Sequence, residues 1–257
     1  MTTDATYKRI HFIINPAAGQ DEPILNTLNS VLHGTDIDWT VDITQENRSA
    51  RSLAIQAAEQ GDIDLVAAYG GDGTISAVIS GLVNRQTPLA ILPGGTGNII
   101  AKDMQIPGRL AQAAALLTGG GELRTVDVGE IDGDRHFMLR ANVGAAATVI
   151  ERAPRELKDR FGVLAYFIAG IETMQALEAV TYHLTLDGET IEVEGWNCSV
   201  INIGSVGALD LKIADSIQPD DGYLDVMVLG EQLNNLLATL PTTLRDNKIP
   251  PEVLPHW

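Results

Sequence analysis

The sequence predicts an α/β domain built on an open parallel sheet, followed by a second domain dominated by antiparallel strands. Three observations predict it. Over the first half, apolar residues alternate between strand and helix periodicity with short connections, the pattern of a parallel sheet covered on both faces. Two glycine-rich segments stand where such strands end and helices begin. From about Arg124 the helices give way to short alternating runs divided by turn residues, which is the texture of hairpins. The predicted domains are residues 1–123 and 124–257.

Taken in order, Lys8 to Ile14 reads as a strand closed by Asn15-Pro16, because proline cannot donate to a ladder. Ile24, Leu25, Leu28, Val31 and Leu32 recur at helical spacing. Ile37 to Ile43 alternates as a second strand. Leu53, Ala54, Ala57 and Ala58 mark a second helix, with Asn47 or Ser49 available as its cap. Ile63 to Tyr69 is a third, more buried strand, and Gly70-Gly71-Asp72-Gly73-Thr74 follows it directly. A helix is expected from Ile75 to Val83, then a strand at Leu89–Leu92, then Pro93-Gly94-Gly95-Thr96-Gly97-Asn98 ahead of a further helix. In the second half, strands are expected at Arg124–Ile131 and His136–Asn142, joined through Asp132-Gly133-Asp134. Others fall at Val180–Leu186, Thr190–Glu194, Asn197–Ile203 and Tyr223–Leu229, with a turn at Asp187-Gly188 and a helical insert over Phe161 to Leu177. The proline-bearing tail from Pro241 to Trp257 reads as irregular.

Charge excludes some functions. The 257 residues carry 17 basic and 34 acidic side chains, a net charge of −17. Nucleic-acid binding depends on Lys and Arg neutralising phosphates, so this surface opposes it. Adhesion to anionic membrane is disfavoured for the same reason. Cys198 is the single cysteine, which excludes an internal disulfide and a cysteine-rich zinc site and fits a reducing cytoplasm. No signal-peptide core follows the N-terminus, and the longest apolar stretch, Phe161 to Ile171, is too short to span a bilayer. His11, His33, His136, His183 and His256 show no metal-ligand spacing. Arg152, Arg155, Lys158 and Arg160 form a basic cluster ahead of the apolar helix, but Glu151, Glu156 and Asp159 nearly neutralise it, so it reads first as a solvated helix end.

The chemistry sits in the two loops. Glycines after a buried strand let the chain turn, with φ > 0 expected at Gly71, and bring backbone N–H groups close to an anion. A helix start at Thr74 adds the positive end of its dipole. Asp72 would repel phosphate unless a divalent cation lay between them, which suggests a Mg²⁺-nucleotide. In an open parallel sheet, neighbouring strand ends share one crevice, so the second loop and Asn15 would face the same ligand. Neither loop is a Walker A or dinucleotide fingerprint.

At these residues the chain resembles the diacylglycerol kinase catalytic domain, most of all its bacterial lipid kinases, which are related to sphingosine and ceramide kinases. Asn15-Pro16 with Gly19, the Gly70–Thr74 loop and the Pro93–Asn98 loop carry the resemblance. Asn142-Val143-Gly144, Phe161-Gly162 through Tyr166 and Pro219 through Val226 extend it over Ile10 to Leu229. The resemblance implies a β-sandwich second domain, a lipid held in the cleft between domains, and transfer of the γ-phosphoryl group of ATP to a lipid hydroxyl. By motif position, Asn15, Thr44, Gly70, Gly71, Asp72, Gly73, Thr74, Ile75, Ser76, Gly94, Gly95, Thr96, Gly97 and Asn98 would hold the nucleotide. Asp72 would approach its Mg²⁺. A structural Mg²⁺ would sit at Asp221, with Gln218 and Tyr223. A cytoplasmic protein meeting its lipid at the membrane surface is implied, with the oligomeric state, homodimer included, left open.

The chain departs from the family at Ser76-Ala77, where Asn-Glu is usual, and at Ile99, where Asp is often found. The family's general base lies in a late Asp-Gly-Glu-like segment that is expected to be missing before Trp257; Asp187-Gly188-Glu189 matches an earlier hairpin instead. A weak or truncated nucleotide-binding protein and an NAD kinase therefore stand as alternatives.

Overall fold

The computed structural model describes residues 7–18, 22–144, 178–206, 211–214 and 216–230. The chain divides into two compact units, Met1–Met138 and Leu139–Trp257. The expected helical insert at Phe161–Leu177, the basic cluster and the proline-bearing tail lie outside the described residues.

The first unit is built on strands β1 (Arg9–Ile14), β2 (Asp38–Ile43), β3 (Leu65–Gly70) and β4 (Leu89–Pro93), all parallel, in the order β2-β1-β3-β4. Helices α1 (Ile24–Leu32), α2 (Ala50–Glu59) and α3 (Asp72–Leu82) connect them. They are followed by the short helices α4 (Ile99–Asp103) and α5 (Leu110–Ala115), a 3₁₀ turn at Leu116–Thr118, and the hairpin of β5 (Gly129–Ile131) and β6 (Arg135–Phe137). β3 is buried at every position, as its unbroken apolar run requires. Ile10, Phe12 and Ile14 of β1 pack with Leu28, Leu32, Tyr69 and Leu92, and with Leu110, Ala113 and Ala114 of α5. Ser49 caps α2 by accepting a hydrogen bond from the Ser52 N–H at 3.2 Å. On the other face α2 and α3 approach closely at Gly81, where a Cβ would come within 2.6 Å of the Arg51 carbonyl oxygen.

The odd position of β1 is His11, only 5% exposed. Its Nδ1 lies 2.8 Å from Thr40 Oγ1, and its Nε2 stands 3.4 Å from the Asp42 carboxylate that Arg48 holds at 2.8 Å. Burial lowers the His11 pKa below the usual 6.5; Asp42 opposes that shift and Arg48 adds to it. A lowered folded pKa means the unfolded chain binds the proton first, so stability is present above pH 6.5 and is lost as pH falls through the folded value. The thermal unfolding midpoint should therefore drop on acidification below pH 6.5, and His11→Leu should remove that part of the slope. A wild-type midpoint that stays flat down to pH 5 would contradict this.

The second unit carries β7 (Arg140–Gly144), β10 (Asn197–Ile201) and β13 (Asp225–Leu229), paired antiparallel in the order β13-β10-β7. The hairpin β8 (Val180–Leu186) and β9 (Glu189–Gly195) lays Tyr182, Leu184, Leu186 and Val193 against Cys198, Val226 and Val228. The result is a two-layered, sandwich-like antiparallel arrangement. A short pair, β11 (Ser205–Val206) and β12 (Leu211–Lys212), completes the described strands. Both predicted hairpin turns form, with φ near +53° and +81° at Asp132-Gly133 and +48° and +91° at Asp187-Gly188, the two consecutive positive values of a type I′ turn. No helix among the described residues is long and apolar enough to cross a membrane.

Several elements differ from the sequence expectation. α3 begins at Asp72, not Ile75, with Gly71 at its N-cap. The run from Arg124 is strand only over Gly129–Ile131, and the expected strand at His136–Asn142 is broken between Phe137 and Arg140. Helix α5, rich in alanine and lacking a side-chain cap, gave no distinct apolar stripe to read.

Candidate functional site

In the order β2-β1-β3-β4 the chain reverses direction across the sheet between β1 and β3. The crevice outside the carboxyl ends of those strands is where open α/β sheets bind ligands. All the predicted residues of the first unit stand at that edge: Asn15 after β1, Thr44 after β2, Gly70–Ser76 after β3, and Gly94–Asn98 after β4. The Thr44 N–H donates to the Ile14 carbonyl at 2.9 Å, which extends the sheet by one residue.

Asn15 joins the ends of β1 and β3. Its N–H donates to the Tyr69 carbonyl at 3.0 Å, its Oδ1 accepts from the Ala17 N–H at 3.0 Å, and its Nδ2 donates to Thr74 Oγ1 at 2.8 Å. The first glycine segment is less a loop than a strand passing straight into a helix. Gly71 has φ −84° and ψ −179°, so the left-handed backbone expected there is absent and any residue could adopt its conformation. Its N-cap carbonyl accepts from the Thr74 and Ile75 N–H groups at 2.9 and 3.1 Å. The N–H groups of Asp72 and Gly73 lie in the first turn, where a helix offers its own donors no acceptor, and the dipole favours an anion there. α3 spans 11 residues.

Close approach explains the glycines better than φ does. A Cβ on Gly95 would lie 2.5 Å from the Gly71 Cα and 3.1 Å from Asn98 Oδ1. On Gly94 it would meet the Tyr69 ring at 2.5 Å from Cζ, and on Gly70 it would meet Thr74 Cβ at 2.5 Å. The two loops thus touch backbone to backbone. Asn98 takes the left-handed conformation, φ +48°, and closes the second loop on itself. It accepts from the Gly95 N–H at 2.8 Å and donates to the Gly95 carbonyl at 2.7 Å. Asp72 reaches across: its Oδ1 accepts from the Ile100 N–H at 3.0 Å, while its Oδ2 lies beside Gly97, 3.1 Å from where a Cβ would stand. Burial, then the Glu22 carboxylate, raises the Tyr69 phenol above its ordinary pKa, so it stays neutral.

Asp72 is the one ionisable side chain in the two loops. One of its oxygens is engaged and the other is available to a cation, a donor of the hard oxygen type that Mg²⁺ takes. The set therefore fits a Mg²⁺-nucleotide held by backbone donors.

Gln218, Asp221 and Tyr223 lie in the second unit, on the turn before β13, all exposed. Asp221 Oδ1 accepts from the Tyr223 N–H at 3.0 Å, and Gly222 has φ +83°. This is an Asx-type turn. A cation there would rest on one carboxylate and backbone carbonyls, which are oxygen donors of the right class. Among the described residues no three His, Cys, Asp or Glu side chains cluster to hold a metal. Cys198 is buried, which pushes its thiol up and leaves it a poor nucleophile. Sequence reasoning assigned Asp72 and Asn98 to the ligand and missed their contacts with the protein, because an N–H across a fold leaves no mark on spacing.

Comparison with known proteins follows the division into two units. Residues 9–131 match the diacylglycerol kinase catalytic domain, and residues 140–249 match the YegS C-terminal NAD kinase beta sandwich-like domain. A Stenotrophomonas maltophilia protein named "Probable lipid kinase YegS-like" is 31% identical, over 93% of this chain and 79% of its own. The diacylglycerol kinase of Bacillus subtilis is 29% identical, over 86% of this chain and 74% of its own. An uncharacterized Synechocystis protein is 32% identical, and the match spans 53% of that longer relative. The crystal structure of a diacylglycerol kinase from Bacillus anthracis superposes with a TM-score of 0.75 at 26% identity, covering 93% of this chain and 79% of that one.

Proposed function

From the chain's membership of the diacylglycerol kinase catalytic-domain family of lipid kinases, phosphotransferases with an alcohol acceptor, we propose that it transfers the γ-phosphoryl group of ATP to a lipid hydroxyl. The observation that carries this reading is the contact of the two glycine loops at the carboxyl edge of the sheet, Gly71 against Gly95. It leaves a cradle of main-chain N–H groups with no side chain to obstruct phosphate.

In this reading Asn15, Thr44, Ile75 and Ser76 flank the cradle, while Gly70–Thr74 and Gly94–Asn98 form it. The first-turn N–H groups of Asp72 and Gly73 bind and orient the phosphate chain. Mg²⁺, when bound, supplies charge neutralisation for the transferring phosphoryl group, and Asp72 is the residue that would hold it. A second cation would occupy the Gln218–Tyr223 turn as a structural ion. Phosphoryl transfer asks the protein mainly for positioning and electrostatics, which is what preorganised main-chain donors provide. The acceptor is a diacylglycerol-like lipid, met at a membrane surface by a cytoplasmic enzyme.

A phosphate site without Lys or Arg in its loops makes a demand on ionic strength. The chain carries a net charge of −17, so long-range repulsion of the nucleotide should fall as salt screens it. Raising NaCl from about 20 to about 200 mM should tighten MgADP binding measured by calorimetry, by roughly twofold. A severalfold weakening would mean that basic side chains hold the phosphates.

The reading is tested by Mg²⁺-dependent transfer of labelled phosphate from ATP to lipids in mixed micelles. Diacylglycerol, monoacylglycerol, sphingosine and phosphatidylglycerol serve as acceptors, with NAD as a control. A labelled lipid is expected. No labelled lipid, with ATP still raising the unfolding midpoint, would replace the kinase by a nucleotide-binding protein, and labelled NAD alone would replace the substrate class.

A further inference from the structure

The geometry points to Asp72 as a positioning residue: its carboxylate docks the Pro93–Asn98 loop onto the Gly70–Thr74 loop by capping the start of α4. This rests on the nucleotide-binding reading above and deepens it, since it gives Asp72 a role separate from any cation. Asp72 is the first residue of α3, and its Oδ1 takes the Ile100 N–H, 28 positions along the chain, at 3.0 Å. Among the described residues, Asp72 is the side chain that meets that end. Asn98, at the α4 N-cap, makes no side-chain bond to the helix, because its Oδ1 and Nδ2 are both spent on Gly95. At five residues α4 is too short to hold its own first turn without such support.

The two side chains divide the work. Asn98 shapes the second loop internally, and Asp72 fixes where that loop sits. The Gly71–Gly95 backbone contact leaves no slack between the loops, so the position of the Thr96 and Gly97 N–H groups relative to those of α3 follows from the Asp72–Ile100 bond. Asn15 makes the matching tie on the opposite side through Thr74. Three strand ends are thus joined by polar side chains that resemble ligand contacts in sequence and are engaged with protein in the fold.

Docking and cation binding are separable by substitution. Asp72→Asn keeps a carbonyl oxygen to accept from the Ile100 N–H and loses the charge a cation needs; Asp72→Ala loses both. Full-length chains would be compared by amide hydrogen exchange and by ADP binding in EDTA, where no cation contributes. Exchange at Ile10–Phe12 and Val66–Tyr69 reports that the sheet is intact. Asp72→Ala is expected to accelerate exchange at Ile100 and Gly95 about tenfold and to weaken cation-free ADP binding at least about fivefold. Asp72→Asn is expected to keep both within about twofold of wild type while losing Mg²⁺-dependent turnover. Equal cation-free binding by all three proteins, with unchanged exchange at Ile100 and Gly95, would overturn the docking role. So would Asp72→Asn matching Asp72→Ala in both measurements, because charge alone would then matter. If wild type bound no ADP with or without Mg²⁺, the nucleotide reading would fall, and the exchange comparison would still decide the docking by itself.

Discussion

Gly95→Ala should leave a folded protein that has lost nearly all activity. The added methyl carbon would stand 2.5 Å from the Gly71 Cα and 3.3 Å from the Gly71 nitrogen, and neither is the tip of a movable side chain. The loops must part by about 1 Å, and a displacement of that size at a phosphate cradle costs roughly 10²-fold in kcat/KM. Nucleotide affinity should fall with it. The strand core is untouched, so the thermal midpoint should stay within a few degrees of wild type. Gly108→Ala is the matched control, because its Cβ would meet nothing within 4 Å and it lies outside both loops. Measured kcat/KM for Gly95→Ala within about threefold of wild type would mean that the loop contact does not position the reacting groups.

Phe12→Ala should produce the converse outcome, a large loss of stability. Phe12 is fully buried in β1 and packs its ring edge-on against Trp39, with ring centroids 5.7 Å apart. It belongs to the core cluster shared with α1, β3 and α5. Removing such a ring costs about 3–5 kcal/mol, because the surrounding side chains close the cavity only in part. The urea midpoint of the first unit should fall accordingly. Loss of less than about 1 kcal/mol would show that the site collapses far more readily than a close-packed sheet core allows.

The fold was legible where periodicity and punctuation agreed. Asn15-Pro16 closed β1, Ser49 capped α2, and the two Asp-Gly turns closed their hairpins. The parallel sheet followed from the alternation of these elements, and the order β2-β1-β3-β4 brought the two glycine segments and Asn15 together as an open sheet demands. The start of α3 was misplaced by three residues. Glycine and aspartate in Asp72-Gly73-Thr74 read as turn formers, yet an acid is well placed in a first helical turn. For the same reason Gly71 was expected at positive φ, when its true constraint is the backbone of Gly95, a neighbour 24 residues away.

The site was legible as a set of residues and illegible as a set of bonds. Spacing placed Asp72 and Asn98 near phosphate chemistry, but only the fold shows that Asp72 meets the Ile100 N–H and that Asn98 folds back on Gly95. In the second unit, Asp221 carried a turn and a cation site in the same letters. The local geometry, with its oxygen on the Tyr223 N–H, is that of the turn. Short strands such as β11 and β12 left no periodicity to read, since two residues cannot alternate.

Whether main-chain donors of both glycine loops hold the nucleotide is read from assigned amide NMR during a MgADP titration. Saturable shifts concentrated at Gly71–Gly73 and Gly95–Gly97, all following one dissociation constant, are expected. Saturable binding that leaves both loops unmoved would contradict that mode of binding.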